Sequence, residues 1–236
     1  MKVHMAMGIY KRLTYICLTE FNKKKLLGLK GLTPGQIFVK PNAVSAPEAL
    51  MPELERQDRF LFAARLEEMK GIRVLLEAWR LLGANGPELL ICGSGPLDEW
   101  SRKFAADNKM TNVRFLGRLP NDQVRRLMAT SRALILPTQW YEGFPLSIAE
   151  SYSMGTPVLV SNLGNGGSLI KQGVTGLKFD PKSPQSIAKA VEKMEAEKNV
   201  NWEENTRRVY DQALTPEKNY AALMEVYTAA KERVRK

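Results

Sequence analysis

The chain has 236 residues, of which 44% are hydrophobic and 25% charged, and carries a formal net charge of +10 with a single histidine. This is the balance of a soluble globular protein with one large core or two small ones. It excludes a membrane-spanning helix, because no apolar run nears the required length of about 18 residues, and it disfavours any mechanism built on a histidine base.

Met1-Lys2-Val3-His4 has no apolar signal region, so the expected location is the cytoplasm, with association at a membrane surface left open. Charge is concentrated at the start. Up to Pro41, the basic residues Lys2, Lys11, Arg12, Lys23, Lys24, Lys25, Lys30 and Lys40 face Glu20 alone. Such asymmetry points to an anionic partner, either a membrane, an anionic lipid or nucleic acid. Nucleic acid is the weakest of these, since no aromatics interleave the basic residues and no recognition motif is present. Cys17 and Cys92 sit far apart in apolar runs and read as buried thiols of a reducing compartment, without metal-ligand spacing.

Thr14 to Leu18 reads as a strand. Thr19 caps a following helix that Gly31 ends, and Ile37-Phe38-Val39 is a second strand stopped by Pro41-Asn42. Two strands and a helix cannot complete a sheet, so this segment has to pack on something else. Residues 45–58, with two prolines and no period, read as a linker. A second domain starts with the strand Arg59 to Ala64. Arg65 and Lys70 then flank the start of a helix with Val74, Leu75, Ala78, Trp79, Leu81 and Leu82 on one side. Cations are disfavoured at a helix N-terminus unless an anion lies between; alternatively they are surface charges offset by Glu67 and Glu68.

The strand Glu88 to Cys92 leads into Gly93-Ser94-Gly95-Pro96, weak evidence for a nucleotide that a strand–helix turn explains equally well. After a helix through Trp100 and Phe104 come the strand Asn112 to Leu116, the turn Arg118 to Asn121, and a helix with Val124, Leu127 and Met128. The apolar run Ala133 to Leu136 is a buried strand. A loop, Thr138 to Gly143, precedes a helix with Pro145 at its first position, and Pro157 to Val160 is the next strand. Glu142 lies just before that helix and Glu150 eight residues on. The amides of Gly143, Phe144, Leu146 and Ser147 surround the helix start and suit an anion, while both carboxylates can accept hydrogen bonds from hydroxyls. In isolation the pair reads better as a favourable charge near a helix dipole and a solvated glutamate. Leu163 to Gly167 reads as a loop, Gly173 to Phe179 as a turn and last strand. Helices begin at Ser183-Pro184, with Ile187, Ala190, Val191 and Met194, and at Thr215-Pro216, with Tyr220, Leu223, Met224, Tyr227 and Val234. Strands alternating with helices from Arg59 to Met194 predict an α/β fold, a Rossmann-like parallel sheet flanked by helices.

The run PTQWYEGFPLSIAESYSMGTPV resembles the EX7E region of retaining glycosyltransferases of family 4, which have the two-domain GT-B architecture. The resemblance implies that Glu142 lies at the donor sugar and reaction centre, that Glu150 holds ribose hydroxyls, and that Gly143, Phe144, Pro145, Leu146 and Ser147 lie against sugar and phosphate. RLEEMKG resembles the family's motif whose Arg and Lys, here Arg65 and Lys70, neutralise the leaving diphosphate, so that no metal or other cofactor is required. Gly93 and Gly95 match a G-x-G-P at the cleft, and Leu119 and Asn121 fall where relatives touch the nucleotide base through the main chain. Ser168 stands where family members often carry a glutamate, and Ala43 replaces the glycine of a P-N-G-V turn. The implied plan is a remnant of an N-terminal acceptor domain (1–44), a linker (45–58), a nucleotide-sugar-binding domain (59–200) and C-terminal helices (201–236). It implies sugar transfer from a nucleotide-diphosphate sugar to a saccharide or lipid-linked saccharide. It also implies dependence on an N-terminal domain, against which the last helix would pack. The alternative is a non-catalytic nucleotide-sugar-binding module or subunit that needs a separate N-terminal partner.

Overall fold

The structure, a computed structural model, describes residues 13–46 and 55–234. Lys2, His4, Lys11, Arg12 and residues 47–54 of the predicted linker lie outside the described residues. Strand β1 (Tyr15–Cys17), helix α1 (Glu20–Leu27) and strand β2 (Ile37–Val39) form a parallel strand–helix–strand unit. Gly28 caps α1, three residues before the predicted Gly31.

The rest alternates regularly: β3 (Gln57–Ala63), α2 (Ile72–Leu82), β4 (Glu88–Cys92), α3 (Asp98–Asp107), β5 (Val113–Gly117), α4 (Asn121–Thr130), β6 (Ser131–Leu136), α5 (Leu146–Ser153), β7 (Val158–Ser161), α6 (Gly164–Leu169), β8 (Gly176–Phe179), then α7 (Pro184–Ala196), α8 (Trp202–Ala213) and α9 (Pro216–Val234). The strands form one parallel sheet in the order β5-β4-β3-β6-β7-β8. Both faces are covered, which is why the strands are continuously apolar. Phe60 and Phe62 pack with Trp79, Ile187 and Val191 on one face, while Leu61 alternates to the other with Leu134, Ile148 and Tyr152.

Helix α2 buries Ile72, Leu75, Leu76, Ala78 and Trp79. The spacing i, i+3, i+4, i+7 makes that stripe. Leu81 falls off it and is 46% exposed, against the expectation that it shares the buried side. Trp79 donates from Nε1 to the Pro87 carbonyl at 2.9 Å and meets the Phe60 ring edge to face at 5.9 Å. Three other expectations change. Strand β3 begins at Gln57, within the predicted linker; Pro145 is the N-cap of α5 rather than its first residue; and Leu163 to Gly167, predicted as a loop, largely enters helix α6.

The first unit packs against α6 and the C-terminal helices. Tyr210 donates to the Val44 carbonyl at 2.8 Å, Asn219 to Pro41 at 2.5 Å and Arg233 to Gly35 at 2.7 Å. On α9, Val226 is buried, whereas Tyr220, Met224 and Tyr227 are exposed, and Tyr220 and Met224 line a shallow groove of about 650 Å³. Among the described residues no helix is long and apolar enough to cross a membrane.

Candidate donor site

The chain runs outward through β3, β4 and β5, then returns to the other side of β3 with β6. Ligands of such sheets bind beyond the strands' carboxyl ends where this order reverses. The loops leaving β3 and β6 meet at that point. Gly71 adopts φ 76°, and a Cβ there would lie 1.8 Å from the Pro137 carbonyl oxygen. Thr138 Oγ1 and the Gln139 amide both donate to the Met69 carbonyl, at 3.1 and 2.8 Å.

These loops bring together the residues singled out from sequence. Lys70 Nζ pairs with Glu142 Oε1 across 72 positions of chain. Their side chains are 34% and 21% exposed. Arg65 is 66% exposed and lies 3.6 Å from Glu67. A cleft of about 170 Å³ is lined by Arg65, Lys70, Thr138, Glu142 and Ser147. A larger one of about 410 Å³ is lined by Gly93, Arg118, Leu119, Asn121, Ser147 and Glu150. Arg65 and Ser147 belong to both, so the two clefts are continuous around them. Within the stretch from Gly143 to Ser147, Phe144 and Pro145 are buried and Gly143 and Leu146 exposed. This stretch opens α5, whose first amides have no partner within the helix.

Glu150 Oε1 accepts from Asn121 Nδ2 at 3.3 Å and lies 3.6 Å from the Arg125 guanidinium. Arg125 also donates to the Ser45 carbonyl at 3.1 Å. Arg125 was not singled out from sequence, although it lies four residues after Asn121 and therefore on the same face of α4. Arg118 and Thr138 were likewise passed over as side chains. Among the described residues no three His, Cys, Asp or Glu side chains cluster as metal ligands.

The glycines after β4 have a packing origin. Gly93 has φ 142°, and a Cβ would lie 1.9 Å from the Ala64 carbonyl oxygen; at Gly95 it would lie 2.4 Å from that of Leu66. Gly93 lines the larger cleft, whereas the space beside Gly95 is filled by the Leu66 backbone. Gly93→Ala is expected to destabilise the fold by roughly 3 kcal/mol, because backbone rather than a flexible side chain must move. A lowered urea midpoint checks this, and an unchanged midpoint contradicts the close approach.

Cys92 lines the same cleft, and burial pushes its thiol from an ordinary value of 9.0 to about 11. The folded state thus favours the protonated thiol. Its stabilising contribution is complete below pH 9 and is lost as pH rises toward 11. Thermal melts across pH 8 to 11 are expected to show a steeper alkaline loss in wild type than in Cys92→Ser, where the buried Cys17, Tyr152 and Tyr210 still titrate.

The profile of the glycosyl transferases group 1 family matches residues 51–209. The chain belongs to that family, and its sheet, flanked by helices on both faces, is a GT-B-type glycosyltransferase domain. It is 34% identical over 134 residues to the D-rhamnosyltransferase WbpZ of Pseudomonas aeruginosa, covering 56% of this chain and 34% of that protein. Over a longer stretch of 177 residues it is 27% identical to O-antigen chain mannosyltransferase C of Escherichia coli, covering 73% and 47%. The chain thus spans a third to a half of the length of these curated relatives. Its fold is similar to a glycosyltransferase from Rickettsia africae with TM-score 0.80 at 19% identity, covering 96% of this chain and 65% of that one. It is also similar to HepE of Anabaena in complex with UDP and glucose, with TM-score 0.74 at 17% identity, covering 92% and 63%.

Proposed function

We propose that this chain binds a nucleotide-diphosphate sugar and takes part in transferring its sugar, with retention of anomeric configuration, to a saccharide or lipid-linked saccharide, in the manner of glycosyltransferase family 4. The observation that carries this is the meeting of Arg65 and Lys70 after β3 with Glu142 and Glu150 around β6 and α5, at the point where the sheet order reverses.

In this reading the larger cleft takes the nucleoside. Glu150 accepts from the ribose hydroxyls, and Leu119 and Asn121 border the base, beside Gly93. The smaller cleft takes the diphosphate and sugar. The bond between the anomeric carbon and the diphosphate oxygen breaks, and the electron pair leaves with the nucleoside diphosphate. Arg65, Lys70 and the amides opening α5 stabilise the charge that develops there. Glu142 orients the sugar hydroxyls. The acceptor hydroxyl adds to the face the diphosphate leaves, and its proton passes to the departing phosphate oxygen, so that neither a histidine nor a metal enters the step. HepE, similar in fold, has been crystallised with UDP and glucose, a ligand pair of the proposed kind.

Proton NMR of the chain with an α-linked nucleotide sugar, an acceptor and an N-terminal acceptor domain supplied in trans tests the chemistry. The released or transferred sugar is expected to appear first as the α-anomer. Initial appearance of the β-anomer would contradict retention.

A further inference from the structure

The backbone of the loop carrying Glu142 is held by one carboxamide. Asn165, on α6, donates from Nδ2 to the carbonyl oxygens of Glu142 and Gly143, at 2.7 and 2.8 Å. Its Oδ1 accepts from Thr19 Oγ1. Thr19 is the N-cap of α1, where the same hydroxyl accepts from the Asn22 amide at 3.2 Å. Both side chains are nearly buried, at 3% exposure for Thr19 and 5% for Asn165. A three-part connection therefore runs from the first strand–helix unit, through α6, to the two peptides on either side of Gly143.

The direction of these bonds matters. A trans peptide is planar, so a carbonyl turned toward Asn165 sends the N–H of the same peptide the opposite way. Fixing the Glu142 and Gly143 carbonyls thus fixes the amides of Gly143 and Phe144 as well as the base of the Glu142 side chain. Gly143 itself imposes little: it is exposed, and a Cβ there would meet nothing within 4 Å. The restraint comes from outside the loop. The loop is also packed by aromatics, since Tyr141 stacks on Phe21 of α1 at 6.4 Å with the Lys25 ammonium 4.8 Å from the Phe21 ring and 4.9 Å from that of Tyr141. Gly164, at φ 55°, leaves room for the Tyr141 ring, which a Cβ would approach to 2.5 Å.

We propose that Asn165, held by Thr19, is a positioning residue that aims Glu142 and the Gly143 and Phe144 amides at the donor sugar, so that the strand–helix unit before the main sheet governs recognition of the sugar rather than of the nucleotide. This rests on the donor reading above. The nucleoside lies in the larger cleft and does not depend on the clamp; the sugar lies against the clamped loop and does.

The test uses Asn165→Ala, Thr19→Val, Thr19→Ser and the Asn165→Ala/Thr19→Val double variant. Affinities for UDP, GDP and ADP are compared with those for UDP-glucose, GDP-mannose and ADP-glucose. Amide hydrogen exchange over residues 138–144 is followed in the ligand-free proteins. Asn165→Ala and Thr19→Val are expected to weaken the sugar-bearing ligand about tenfold while changing the nucleoside diphosphate less than about twofold. The double variant should add nothing to Asn165→Ala, and Thr19→Ser should behave as wild type. Loop exchange should rise in Asn165→Ala and Thr19→Val alone. Equal weakening of both ligands would reduce the clamp to a structural role and overturn the proposal, as would unchanged affinities or unchanged loop exchange. If the wild type binds none of these ligands, the donor reading fails; the exchange arm still decides whether the clamp holds the loop.

Discussion

Lys70→Ala is expected to bind a nucleoside diphosphate roughly 30- to 100-fold more weakly than wild type, whereas Glu142→Gln binds it about three- to fivefold more tightly. The asymmetry follows from the Lys70–Glu142 pair. In the ligand-free site the ammonium is already neutralised by a carboxylate. A diphosphate entering the smaller cleft must share that cation. Removing Lys70 takes away the charge-assisted contact and also leaves Glu142 facing the anion uncompensated. Removing the charge of Glu142 frees the ammonium and relieves repulsion in one change. The pair is partly exposed and so worth only about 1 kcal/mol by itself, which bounds the gain. Calorimetric titration of both variants checks this. Weaker binding by Glu142→Gln would show that the carboxylate supports the nucleotide directly, and the proposed division of roles would fall.

Glu150→Ala is expected to cost about 10- to 100-fold in affinity for the nucleoside diphosphate and nothing for inorganic diphosphate. The carboxylate lies at the wall of the larger cleft, away from the Lys70–Glu142 pair. It is held in place by Asn121 and Arg125, so its free lone pairs are preorganised for hydroxyl donors. Each charge-assisted hydrogen bond lost to the ribose contributes about 1.5–3 kcal/mol. The variant also leaves the Arg125 guanidinium without its carboxylate, and Arg125 Nε is already a buried group with no partner. A modest loss of thermal stability should accompany the loss of binding. Competition between inorganic diphosphate and the nucleotide separates the two clefts; equal losses for both would place Glu150 at the phosphate instead.

Much of this was legible in the amino-acid order. Short apolar runs marked all six strands of the main sheet, five of them with a Gly or Pro at a boundary, since a buried parallel strand needs little more than that signature. Arg65, Lys70, Glu142 and Glu150 stood out because RLEEMKG and the EX7E run resemble family motifs; their spacing alone left them readable as surface charges. What remained hidden depends on long-range pairing. No local pattern connects Lys70 to Glu142, or Thr19 to Asn165 across 146 positions. Asn165 sat within LGNGG, where glycines signal a loop although tertiary packing makes a short helix. Gly93 and Gly95 read equally as weak evidence for a nucleotide or as a strand–helix turn, and sequence could not show that a backbone carbonyl passes within 2.4 Å of each would-be Cβ. Leu81 was assigned to the buried face of α2 by hydrophobicity alone, while the angular position of its neighbours turns it outward. The helix Trp202–Ala213 was anticipated only as part of a helical end, because it buries chiefly Thr206 and Tyr210 and has a weak apolar stripe.

The donor site itself is tested most directly by calorimetric titration of the chain with UDP, GDP and ADP in the absence of metal, beside Arg65→Ala and Glu150→Ala. Saturable binding of one nucleotide, weakened by both substitutions, is the predicted result. A folded chain that binds none of the three, or whose binding neither substitution alters, would contradict it.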